Sequence, residues 1–201
     1  MYIPQFPIQP TEIAGGCIAI FENVWGDTEK TIKDIELTTS DPLSNISFIK
    51  AATLNNTAND KRTNQHLALS EAGQRNNTFR EINNKFFNLT CAAVETYKQI
   101  FDIKEQIYFN EGFNLLKYSG GQEYKAHADG GTGTKRAISP ILYLNDDYEG
   151  GEIEFVNFGL KLKPKPGMLV LFPSNYPYRH IAHPVTDGTK YAIVTWLHDQ
   201  P

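Results

Sequence analysis

The chain has 201 residues, a formal net charge of −4, 40% hydrophobic and 12% aromatic content, which suits one domain with a substantial core. No run of Lys or Arg marks a nucleic-acid groove, no apolar stretch nears the roughly 20 residues needed to cross a bilayer, and residues 1–10 lack the basic-then-apolar order of a secretory signal. The expectation is a cytoplasmic protein with neither nucleic acid nor membrane as partner. Cys17 and Cys91, the two cysteines, suggest no disulfide framework or Cys-rich zinc site, and Cys91 reads as a small core residue.

In chain order, Ile18-Ala-Ile-Phe21 is a short apolar run that reads as an early strand. Asp27 is placed to cap a short helix through about Thr38, with Ile32 and Ile35 facing inward. Residues 43–74 are polar and Asn-rich without a sustained period. They read as a long loop with a short strand near 46–48 and a helical turn near 65–72, a candidate lid. Thr78 followed by Glu81 makes a capping box. Ile82, Phe86, Leu89, Ala93, Tyr97 and Ile100 then recur at helical steps, predicting one apolar face over 79–101.

From Ile107 the pattern changes. Residues 113–118, 136–144, 152–155, 167–172 and 190–197 read as strands, separated by Gly- and Pro-rich turns. The expected fold is mainly β with flanking helices: a jelly roll buttressed by N-terminal helices. A single domain is expected over 1–201, with 1–106 as support and 107–199 as the jelly-roll core.

The chemistry concentrates in this second half. His127 and Asp129 are two apart, so on a strand they share a face. A His from a later strand would complete two imidazoles and one carboxylate, the set that suits non-haem Fe(II) and oxygen. His180 and His183 are three apart, so on a regular strand only one of them can join, and spacing does not say which. Lys190, ten residues after His180, would suit an anionic co-substrate.

Four linked motifs carry a resemblance. Tyr118-Ser-Gly-Gly-Gln-Glu-Tyr124-Lys-Ala-His127-Ala-Asp129 resembles the first iron-binding motif of the prolyl 4-hydroxylase branch of 2-oxoglutarate/Fe(II) dioxygenases. The stretch from Tyr143 through Glu149-Gly-Gly to Phe155 resembles the strand, turn and strand that follow, and Lys165-Pro-Gly-Met-Leu-Val-Leu-Phe-Pro173 resembles the strand before the last ligand. The stretch from His180-Ile-Ala-His-Pro184 through Gly188 and Lys190 to Trp196 resembles the closing motif. Together the motifs cover about residues 107–199 in order.

The resemblance implies a double-stranded β-helix holding Fe(II) through His127, Asp129 and His180, since the family's last ligand lies four residues before the proline matched by Pro184. It implies that Lys190 and Tyr143 hold the distal carboxylate of 2-oxoglutarate. It further implies that Arg136, Tyr118 and Trp196 face substrate, a prolyl residue of a peptide or protein. 2-Oxoglutarate and O2 are consumed as co-substrates, and ascorbate is an accessory reductant in such systems. Tyr124 reads as structural or pocket-lining, Gly150 and Gly151 as turn residues, and Lys61-Arg62-Thr63-Asn64 faintly resembles a substrate-loop motif. Two alternatives are a same-fold hydroxylase of a free amino acid or small metabolite, and a non-enzymatic β-barrel binding module. A zinc hydrolase would leave Lys190 unexplained.

Overall fold

The structure is a computed structural model that describes residues 8–14, 16–51, 61–109 and 111–201. Its strands are β1 (Glu12–Ala14), β2 (Ile18–Phe21), β3 (Ile49–Lys50), β4 (Gln65–Ala68), β5 (Asn114–Ser119), β6 (Tyr124–His127), β7 (Arg136–Tyr143), β8 (Tyr148–Gly150), β9 (Ile153–Phe155), β10 (Leu160–Leu162), β11 (Leu169–Pro173), β12 (His180–Ala182), β13 (Val185–Val194) and β14 (Leu197–His198). Its helices are α1 (Thr28–Ser40), α2 (Leu69–Arg75) and α3 (Asn77–Ile100). None of the described helices is long and apolar enough to cross a membrane.

The strands form two antiparallel sheets. The large one runs β1-β2-β11-β7-β13-β5-β4-β3, with β14 on β7 and β8 on β13; the small one runs β10-β9-β12-β6. The central strands of the large sheet are buried on both faces, and alternation divides each of them between two cores. Leu169 and Leu171 of β11, with Tyr191 and Ile193 of β13, join Ile35, Phe79, Phe86 and Tyr97 of the helices. Val170, Phe172 and Ala192, pointing the other way, join Ile153 and Phe155 of the small sheet. One side of the large sheet is therefore a helix-covered wall and the other is half of a double-stranded β-helix. A strand buried on both faces reads as an unbroken apolar run, as Ile18-Ala-Ile-Phe21 does.

Two of the helices, α1 and α3, begin where a side chain satisfies a free N–H group, whereas α2 has no side-chain cap. The Asp27 carboxylate accepts from the Lys30 N–H at 2.9 Å and starts α1, as expected. The cap of α3 is Asn76, whose side chain accepts from the Phe79 N–H at 3.2 Å, so the predicted Thr78–Glu81 capping box is displaced by the residue before the helix. Asn76 has the extended backbone that a cap needs, whereas Thr78 is already helical. The inward face is as predicted except at Ile100, which is 41% exposed in the last turn.

Residues 65–68 depart from the expected helical turn. Gln65–Ala68 pairs with β5 along its length, and the helix starts only at Leu69. The ladder on β5 overrides local preference there, burying Leu67. The short strand expected at 46–48 lies instead at Ile49–Lys50, while Ile46 is buried without strand pairing. Within the candidate lid, Ile49–Lys50 and Gln65–Ala68 thus belong to the large sheet, Arg62 bridges to Tyr124 of the small sheet, and the helical part from Leu69 belongs to α2, which packs on α3; residues 52–60 lie outside the described residues.

Candidate active site

A cavity opens between the two sheets, lined by Tyr118, Tyr124, His127, Asp129, Tyr143, His180, Lys190 and Trp196, with Arg62 at its side. Seven of the eight residues expected at the site therefore meet in one place, although they come from β5, β6, β7, β12, β13 and two loops.

β6 ends at His127, so Asp129 lies in the turn beyond the strand rather than two steps along it. The three groups still converge: one ligand atom from each of His127, Asp129 and His180 lies within 4.8 Å of the others. His127 Nε2 is 3.6 Å from Asp129 Oδ1, and His180 Nε2 is 3.8 Å from Oδ2. His127 faces His180 directly across the β6–β12 ladder.

Each imidazole is oriented by a backbone carbonyl two residues before it. His127 Nδ1 lies 2.8 Å from the Lys125 carbonyl and His180 Nδ1 lies 3.1 Å from the Tyr178 carbonyl. A carbonyl can only accept, so each Nδ1 carries a proton and each Nε2 turns toward Asp129. Burial, and then the neighbouring His127, push the His180 pKa down to about 4, so it is neutral near pH 7. Burial would raise the Asp129 carboxyl, but His180 and His127 beside it hold it well below the usual range. Asp129 Oδ2 is buried with no hydrogen-bond partner. An orphaned buried carboxylate oxygen facing two imidazoles is costly unless a cation completes it, so the donor set fits a divalent transition metal.

At the other side of the cavity, Lys190 is 2% exposed and its ammonium donates to the Gly151 carbonyl at 2.6 Å. It lies 4.9 Å from the Tyr143 ring centroid and 5.4 Å from that of Tyr118. Burial, and then the like charge of Lys163, lower its pKa to about 7 against the opposing pull of Glu152. Burial raises the Tyr118 phenol to about 12 and that of Tyr143 well above its usual value, so both remain protonated donors. A cation with one neutral partner, flanked by phenols, suits a carboxylate ligand.

Arg136 is outside the set that lines the cavity. Its Nε and Nη2 donate to the two Glu111 carboxylate oxygens at 2.6 and 2.5 Å, its Nη1 donates to the Asp129 carbonyl at 3.1 Å, and its guanidinium carbon lies 3.8 Å from the Trp196 ring centroid. His198 Nε2 lies 2.9 Å from the same Glu111 carboxylate. Burial opposes ionisation of Glu111, but its bonds to Arg136 and His198 win and lower its pKa. Glu111 and His198 carry no motif, and only the fold brings them 87 residues across the chain to one another. His183 Nε2 lies 2.7 Å from the Glu154 carboxylate and does not join the metal set.

Gly150 and Gly151 are turn residues whose conformation is required. Gly150 has φ +73°, and a Cβ there would sit 2.2 Å from the Pro184 carbonyl oxygen. Gly151 follows at φ +67° and presents its carbonyl to Lys190, so the turn also places an acceptor in the site.

The chain resembles known proteins in sequence and in fold. Residues 113–198 match the model of the 2OG-Fe(II) oxygenase superfamily. Two plant relatives, both from Arabidopsis thaliana, are probable prolyl 4-hydroxylase 9, 34% identical over 119 residues, and prolyl 4-hydroxylase 13, 26% identical over 186 residues. The first alignment covers 45% of this chain and 41% of the relative, the second 78% and 62%. The chain thus spans less than two thirds of the length of these curated relatives. Among solved structures, a Trichoplax adhaerens prolyl hydroxylase in complex with a hypoxia inducible factor peptide fragment superposes with a TM-score of 0.72 at 18% identity, covering 91% of this chain and 84% of the other. A Pseudomonas putida prolyl-4-hydroxylase superposes with a TM-score of 0.64 at 17% identity, covering 90% and 92%. Over residues 113–198 the chain is thus similar to 2OG-Fe(II) oxygenases, and the relatives and solved structures it resembles are prolyl hydroxylases.

Proposed function

We propose that this chain is a 2-oxoglutarate- and Fe(II)-dependent oxygenase that hydroxylates prolyl residues of a peptide or protein. The observation that carries the reading is the buried, partnerless Asp129 Oδ2 between two imidazoles, in one cavity with the Lys190 side chain. His127, Asp129 and His180 would hold Fe(II), which supplies oxygen activation coupled to oxidative decarboxylation of 2-oxoglutarate to succinate and carbon dioxide. Lys190 donates to the distal carboxylate of the keto acid, with the Tyr143 phenol as a second donor. That anchor fixes the reach of the keto acid, directing its keto end toward the ligand triad. The aromatic walls from Tyr118 and Trp196 exclude water around the reacting carbon. Arg136, braced by Glu111, steadies the Asp129 backbone and the Trp196 ring. Prolyl substrates are favoured by the names of the relatives, prolyl hydroxylases among both sequence and structure neighbours.

The test is succinate release in air with Fe(II), 2-oxoglutarate and ascorbate, comparing prolyl peptides with free amino acids. Peptide-dependent succinate and a one-oxygen gain on proline are expected. Stimulation by free amino acids alone would overturn the prolyl assignment, and failure to bind either Fe(II) or 2-oxoglutarate would overturn the enzyme.

A further inference from the structure

Tyr124 and His127 stand three residues apart on β6, and strict alternation would send their side chains to opposite faces. They share a face because the ladder is bulged. His127 is opposite His180 and Tyr124 is opposite Ala182, so three steps along β6 match two along β12. Bulges of this kind re-aim side chains next to functional sites. Both residues line the cavity, and their rings stack with centroids 3.4 Å apart and planes 13° apart.

The stack has work to do at His127 that is done otherwise at His180. His180 is 4% exposed, and its ring is fixed by Phe155 and Phe172, with centroids 5.9 and 4.9 Å away. The His127 side chain is 14% exposed and sits on the strand at the edge of the small sheet. The Nδ1 bond to Lys125 fixes one atom of its ring; a flat aromatic neighbour is needed to fix the plane. Tyr124 is in turn held from outside the jelly roll. The Arg62 guanidinium carbon lies 5.0 Å from the Tyr124 ring centroid, and Arg62 Nε donates to Asn64 Oδ1 at 3.0 Å. The segment carrying Arg62 is laced to β6: Lys125 N–H donates to the Lys61 carbonyl at 2.8 Å, Thr63 N–H to the Glu123 carbonyl at 3.0 Å, and Glu123 N–H to Thr63 Oγ1 at 2.8 Å.

We propose that Tyr124 is a positioning residue for His127, held in that role by Arg62, so that the β6 bulge and the stacked ring together aim His127 Nε2 at Asp129. The proposal rests on reading His127 as a metal ligand, but the stack itself can be tested without metal. The Tyr124 ring current displaces the His127 ring-proton NMR resonances in the metal-free chain. Tyr124→Phe is expected to keep that displacement and wild-type Mn(II) affinity. Tyr124→Leu is expected to abolish it and to weaken Mn(II) binding by about 10- to 100-fold, the usual range for groups that orient a ligand. Unchanged His127 resonances and unchanged Mn(II) affinity in Tyr124→Leu would overturn the proposal. If Tyr124→Leu fails to fold, Arg62→Ala decides: loss of the cation from the ring is expected to weaken Mn(II) binding by about two- to fivefold, and wild-type affinity would overturn the chain of support. Resonances that move in Tyr124→Leu while the wild-type chain binds no Mn(II) would leave the stack standing and defeat the metal reading instead.

Discussion

Lys190 offers the sharpest physical test, because its burial has a calculable cost. The ammonium is 2% exposed, has one neutral carbonyl partner, and has its pKa lowered from 10.5 to about 7. That difference corresponds to roughly 5 kcal/mol of unfavourable interaction with the charged form. Between about pH 7 and 10.5 the unfolded chain binds one proton more than the folded chain, so this group makes stability rise with pH; below about 7 both are protonated and the full cost is present. Over pH 7 to 9 the gain is about 2 kcal/mol. Lys190→Met keeps the stem and removes the titration. Chemical denaturation of the metal-free chain at pH 7, 8 and 9 should show wild type gaining about 2 kcal/mol on the variant across the range. At pH 7 the variant should be at least as stable as wild type, since a poorly paired buried charge is gone. Mn(II) should stabilise both proteins, and adding 2-oxoglutarate to the Mn(II)-bound chains should further stabilise wild type and not the variant. A stability difference independent of pH would refute the buried-ammonium argument.

Three further outcomes are expected. His127→Ala and His180→Ala should abolish Mn(II) binding and succinate formation, whereas His183→Ala should retain most of both, because His183 is paired with Glu154; titration of Mn(II) binding by electron paramagnetic resonance checks this. Gly150→Ala should destabilise the chain by more than about 2 kcal/mol in thermal or chemical unfolding, since the new Cβ would clash with backbone at a positive φ. Glu111→Gln should leave Mn(II) affinity close to wild type but raise the peptide KM about tenfold by loosening Arg136 from Trp196; steady-state kinetics separates this from a loss in kcat.

The site was more legible in the sequence than the support around it. His127, Asp129, His180 and Lys190 sit in motifs whose order survives in the linear chain, and the central strands announce themselves as apolar runs. The choice of His180 over His183 needed the resemblance, because a spacing of three excludes neither. The same alternation rule fails at Tyr124 and His127, where a bulge undoes it, and no residue in 124–127 signals that bulge. β4 was hidden because Gln65–Ala68 is a strand only through its pairing with β5. Glu111, His198 and Arg62 were out of reach as partners, since each acquires its role through contacts that span 25 to 87 residues or depend on backbone pairing.

The account stands or falls on one centre, so the most direct measurement is an anaerobic crystal structure with Mn(II) and 2-oxoglutarate. It should show one metal ion bonded to His127 Nε2, Asp129 and His180 Nε2, and the far carboxylate of the keto acid against Lys190. A metal bound elsewhere, or a keto acid whose far end avoids Lys190, would contradict it.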